Sequence, residues 1–175
     1  MRRLMLLRHA KSDWSKPGTR DHDRTLNARG REAAPKMGVY MAKHALAPDL
    51  IVASTATRVR ETLDLVLPAF KQGPKVTYES RIYEAKPEQL LSVLREMPAT
   101  VHSLLMIGHN PGLAELATLL TATGDIETRQ QLIEKFPTAG LAVIDFASGS
   151  WAKLKPRTGR LERFVVPRTL ETATD

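Results

Sequence analysis

An arginine–histidine pair, Arg8-His9, stands at the end of the apolar run Leu4-Met5-Leu6-Leu7. A second histidine, His109, follows Ser103-Leu104-Leu105-Met106-Ile107 within Gly108-His109-Asn110-Pro111-Gly112. A second arginine, Arg58, follows Asp49-Leu50-Ile51-Val52-Ala53 by way of Ser54-Thr55-Ala56-Thr57. Two arginines and two histidines in such settings suit phosphoryl transfer, in which negative charge spreads over three equatorial oxygens. Arginine forks bind those oxygens bidentately and stay charged at any working pH. A neutral imidazole nitrogen is a nucleophile toward phosphorus, and a second imidazole can donate a hydrogen bond to the same oxygens. Nearby arginines help keep His9 neutral, and its other ring nitrogen needs an acceptor, such as a backbone carbonyl, to fix the tautomer.

These residues must be brought together by the elements that precede them. Short apolar runs bounded by polar segments read as buried strands, and open α/β sheets gather their sites at the carboxyl ends of such strands. Helices are predicted from the N-cap Asn27 to His44, with Pro35 inside, and from Thr57 to Phe70. Others are predicted from Pro87 through Leu90, Leu91 and Leu94, from Pro111 (with Asn110 as N-cap) through Leu120, and over Arg129–Lys135. Further strands are predicted at Lys75–Tyr78 and Gly140–Phe146, with Trp151–Leu154 and Leu161–Val166 at an antiparallel edge. Strands alternating with helices imply an α/β fold, a three-layer α/β/α sandwich with a mostly parallel central sheet. Residues 1–170 read as a single domain and residues 171–175 as a loose tail.

Composition narrows the function classes. The chain has 175 residues and no cysteine, which excludes disulfides, thiolate metal sites and cysteine nucleophiles and suits the cytoplasm. No apolar run reaches the length of a membrane helix, and the run after Met1-Arg2-Arg3 is too short for a signal peptide. The net charge of +7 is dispersed rather than blocked, with few aromatics to stack on bases, so nucleic acid is not expected as a partner. His9 and His109 lack ligands at metal-site spacing, and neither a metal nor any other cofactor is expected.

Taken in order, Arg8-His9-Ala10, Ser54-x-x-x-Arg58 with Glu61-Thr62, and Gly108-His109-Asn110-Pro111-Gly112 resemble the signatures of the histidine phosphatase superfamily. Asp21-His22-Asp23-Arg24-Thr25-Leu26-Asn27-Ala28-Arg29-Gly30 resembles the approach to its first helix. The wording Arg8-His9-Ala10-Lys11-Ser12 and the short chain are similar to the SixA-type phosphohistidine phosphatase branch. The resemblance implies a phosphoglycerate-mutase-like fold and a covalent phosphohistidine intermediate on His9. It implies phosphoryl binding by Arg8, Arg58 and His109. Members that cleave phosphate esters also use a carboxylic acid, for which Glu84 is the candidate by position, ahead of Asp13 and Asp23. Short connections predict an open site, suited to phosphohistidine on a protein. A small phosphate ester as substrate, or a non-catalytic phosphate-recognition module, are the alternatives. The oligomeric state is not legible.

Overall fold

In a computed structural model, which describes residues 1–172, the N-terminal apolar run lies in strand β1 (Arg2–Arg8), whose Leu4, Met5, Leu6 and Leu7 are all fully buried. A strand alternates its side chains between two faces, so burial of four in a row requires cover on both sides. Leu4 and Leu6 enter one core, and Met5 and Leu7 enter the other. Strands β2 (Leu50–Ala53) and β4 (Ser103–Gly108) divide their residues in the same way.

The remaining strands are β3 (Lys75–Tyr78), β5 (Thr121–Gly124), β6 (Leu141–Phe146) and β7 (Gly159–Val165). Among the described residues the seven form one sheet in the order β3-β2-β4-β1-β6-β7-β5. One face is covered by α1 (Ala28–Lys43), α2 (Thr57–Val66) and α6 (Pro167–Thr172). The other is covered by α3 (Pro87–Arg95), α4 (Gly112–Leu120) and α5 (Ile126–Glu134). This is the expected three-layer α/β/α sandwich. No helix among the described residues is long and apolar enough to cross a membrane.

Several local expectations are corrected. The antiparallel element is internal: β6 is antiparallel to both β1 and β7, while β5 pairs parallel to β7 at the edge. Strand β5 was not legible because Thr121-Ala122-Thr123-Gly124 has no apolar run. Trp151–Leu154 is not a strand; Trp151 is buried and its indole N–H donates to Val101 O (2.7 Å). The helix at Thr57 ends at Val66 and tightens into a 3-10 turn over Leu67–Ala69, where Pro68 cannot extend the α-helical ladder. Asn110 does not cap α4: Pro111 takes that position, and the Asn110 amide donates to Phe136 O (2.8 Å). Of the expected loose tail, Glu171 and Thr172 belong to α6, and residues 173–175 lie outside the described residues.

Candidate active site

The parallel ladder at the centre of the sheet runs one residue beyond its strands. His9 N donates to Gly108 O (3.1 Å), and Ser54 N donates to Ile107 O (3.1 Å). Since Arg8 is in register with Gly108 and Ala53 with Ile107, His9 falls level with His109, and Ser54 falls level with Gly108, one residue short of them. The adjoining strand ends thus carry Ser54, His109 and His9. Helix α2 starts just beyond Ser54 and sets Arg58 in its first turn. Arg8, His9, Arg58 and His109 line one pocket of about 410 Å³ together with Lys11, Trp14 and Asp21.

The next residues of α2 fix the surrounding loops. The Thr62 hydroxyl accepts from Ala10 N (2.9 Å) and donates to Arg58 O (2.7 Å). Glu61 accepts from Leu26 N (2.7 Å), and Asn27 N donates to Lys11 O (2.9 Å). Gly30 of α1 lies so close that a Cβ there would sit 2.2 Å from Lys11 O, which only glycine permits. The Glu61-Thr62 pair is thus the jig that holds the exits of β1 and of the 11–27 loop against Arg58.

His9 Nδ1 lies 2.7 Å from Ala10 O. A carbonyl can only accept, so Nδ1 carries the proton and Nε2 keeps its lone pair. Burial is the main force that lowers the His9 pKa, to about 4, and the charges of Arg58 and Arg8 add to it. The arginines therefore act as expected but in second place. His109 is lowered further, to about 3, by burial first and then by His9 and Arg58. Its Nδ1 faces Arg58 Nη2 at 3.3 Å and its Nε2 faces Ser54 Oγ at 2.8 Å. A guanidinium can only donate, so in this arrangement Nδ1 accepts and Nε2–H donates to Ser54.

These shifts set the acid behaviour. A histidine lowered from 6.5 to about 4 stays a free base until the pH falls through the lower value. On an acid-stable aryl phosphate, kcat/KM is expected to hold level from pH 7 to about pH 5, once the ester's own ionisation near pH 6 is allowed for. A limb at 6.5 assigned to the enzyme would contradict it. Stability moves the other way: below pH 6.5 the unfolded chain takes protons at His9 and His109 that the folded chain refuses, so the fold weakens as the pH falls toward 4.

Asp21, in a 3-10 turn over Asp21–Asp23, is a pocket residue that sequence reasoning missed. Its carboxylate accepts from the Tyr83 hydroxyl, from Arg58 Nη2 (3.1 Å) and from Arg24 (3.2 Å), and its carbonyl accepts from Arg58 Nη1 (2.7 Å). The Tyr83 bond, Arg58 and Arg24 together hold the acid at about 2, well below an ordinary carboxylate. Tyr83 also meets His109 edge-on, with ring centroids 5.4 Å apart. Arg8 donates once, from Nη1 to Phe136 O (3.2 Å), and among the described residues its Nη2 has no protein partner.

Glu84 is not brought into this pocket. It is exposed, in the left-handed backbone region (φ 53°), and lines an adjoining cavity that shares His109 and Asn110. Asp13 accepts from Ser15 N, and Asp23 pairs with Arg20; neither lines the pocket. His22 stands behind the site, 2.9 Å from Thr55 Oγ1 and edge-on to Tyr83. Trp14 is 72% exposed at the mouth, with the Arg24 guanidinium 3.6 Å over its ring.

A sheet whose central strand ends supply His9, His109 and the turn bearing Arg58 defines a class with known relatives. The profile of the histidine phosphatase superfamily (branch 1) matches residues 4–92. Uncharacterized protein Rv1276c of Mycobacterium tuberculosis is 36% identical over 167 residues, covering 93% of this chain and all of its own. A crystal structure from Agrobacterium tumefaciens, described as a phosphohistidine phosphatase SixA, is 33% identical with a TM-score of 0.77, covering 95% of this chain and 98% of its own. A Nakamurella multipartitia structure described likewise is 28% identical with a TM-score of 0.81, covering 95% and 96%. The chain belongs to the histidine phosphatase superfamily. Within it the chain is of the SixA type and is a histidine-dependent phosphatase.

Proposed function

We propose that this enzyme removes the phosphoryl group from phosphohistidine on partner proteins, with residues 1–170 acting as one domain. The observation that carries this reading is the state of the one carboxylate among the described residues lining the His9 pocket. Asp21 is held ionised by Tyr83, Arg58 and Arg24, so it has no proton to give. An alkoxide leaving from a phosphate ester needs a positioned acid, whereas the imidazole of a phosphohistidine departs more readily. The similarity to proteins described as phosphohistidine phosphatases supports the same substrate.

In this reading His9 Nε2 attacks phosphorus, its lone pair forms the new N–P bond, and the bond to the substrate imidazole breaks; that ring, protonated on its other nitrogen, leaves as neutral imidazole. Arg8 and Arg58 hold the equatorial oxygens. The dianion's charge favours protonation of His109 at Nδ1, which then donates to an oxygen in place of accepting from Arg58. Water next attacks phosphorus, the P–Nε2 bond breaks, and phosphate leaves with His9 restored as a free base. The cysteine-free composition supports a cytoplasmic setting.

A substrate panel tests this. Wild type is expected to release phosphate from phosphohistidine proteins in preference to small esters, and Glu84→Gln to change that release by no more than about twofold. Brisk turnover of small esters with none on phosphohistidine, and a collapse of ester turnover in Glu84→Gln, would make the enzyme a phosphomonoesterase with Glu84 as its acid.

A further inference from the structure

The His9 pocket opens on two sides, and the two sides differ in charge. On one side it shares His109 and Asn110 with the cavity of about 560 Å³ that holds Glu84, Glu88 and Glu115 against the single cation Lys86. On the other it shares Lys11, Lys135, Pro137 and Thr138 with a groove of about 720 Å³ between α1, α6 and the end of α5. That groove adds two more cations, Arg29 from α1 and Arg168 from α6, over a floor that includes Ala33, Phe164 and Val166. Among the described residues none of these four cationic side chains has a hydrogen bond or ion pair within the protein. The groove also holds Glu32, which is tied to Lys36 (3.4 Å), with Glu134 and Glu171.

We infer that this groove receives the chain segment flanking the phosphorylated histidine of the partner protein, and that it favours acidic residues there. The inference rests on the phosphohistidine reading above. A phosphohistidine whose phosphorus reaches His9 Nε2 leaves its own backbone at the rim, so the flanking residues must cross one shared wall or the other. The wall toward Glu84, Glu88 and Glu115 repels an anionic segment, and the wall of Lys11 and Lys135 attracts it. An apolar floor between charged banks suits a segment that alternates acidic and apolar side chains. Arg29 and Arg168 line the groove without touching the phosphate pocket, so they act on docking alone.

The test uses short phosphohistidine peptides, phosphorylated with phosphoramidate, whose flanks carry either two glutamates or two lysines. Wild type is expected to show a kcat/KM about tenfold higher on the acidic peptide, carried by KM and reduced by salt. In the Arg29→Glu/Arg168→Glu variant the preference should vanish or reverse, with hydrolysis of a small aryl phosphate within about twofold of wild type. Equal use of the two peptides by wild type, or an unchanged preference in the variant, overturns the groove and leaves the functional reading standing. A wild-type preference for the lysine peptide that is lost in Glu84→Lys/Glu88→Lys instead sends the segment across the other wall and overturns the groove as well. If wild type cleaves neither peptide nor any phosphohistidine protein, the functional reading fails and the groove fails with it.

Discussion

Replacement of His9 by alanine is expected to lower phosphate release by at least about four orders of magnitude on every substrate the enzyme accepts. The other imidazole and the carboxylate of the pocket are already engaged. The His109 ring lies 5.3 Å from His9, with its two nitrogens committed to Ser54 and Arg58. The Asp21 carboxylate is engaged by Tyr83, Arg58 and Arg24. The fold should survive the change, because among the described residues the only hydrogen bond of the His9 side chain is to the carbonyl of its own neighbour, Ala10. Binding of phosphate by the two arginines should survive as well. The measurement is rapid acid-free quenching with labelled substrate: wild type traps a phosphoenzyme that is stable to base and lost in acid, and His9→Ala traps none. Retention of more than about a hundredth of the wild-type rate would remove His9 from the nucleophile's place.

Arg58→Ala should be nearly as damaging, with a fall in kcat/KM of about a thousandfold. Two losses combine. The guanidinium fork goes, and Asp21 is left with its charge facing the site where a phosphoryl dianion must sit. Because Asp21 draws its low pKa first from Tyr83 and only then from Arg58, it stays ionised without the arginine. The sign of a second substitution follows. Asp21→Asn added to Arg58→Ala should recover about tenfold by removing the repulsion, so the double variant is more active than the single one. A double variant no better than Arg58→Ala would mean that Asp21 acts on the substrate only through the arginine it holds.

Much of this site was legible because its chemistry stands at the ends of strands with strong apolar signals. The runs before Arg8-His9, Ser54 and Gly108-His109 are buried on both faces, and their order in the chain does not disguise their convergence. Asp21 was not legible, because it sits in a 3-10 turn within a polar loop that has no periodicity. It enters the pocket only through long-range bonds from Arg58 and Tyr83. Tyr83 and Glu84 show the same limit at the scale of one residue. The chain takes Glu84 through a left-handed conformation, so it is Tyr83 that faces the site and Glu84 that lines the next cavity. Strand β5 and the turn at Trp151 failed for opposite reasons. The first is a strand by pairing without an apolar pattern, and the second is an apolar pattern buried without pairing.

The two side chains beside Arg58 that tie down the opposing loops have a consequence for timing. Thr62 and Glu61 clamp the backbone at Ala10 and Leu26 from the same helix that carries the arginine. His9, its neighbouring loops and Arg58 therefore stand in one piece before any substrate arrives. Nothing at the floor of the site has to close or order itself within the catalytic cycle. On the phosphohistidine reading, one partner protein would differ from another in how fast it comes and how long it stays. Among substrates with the same leaving group, discrimination then belongs to the encounter at the rim.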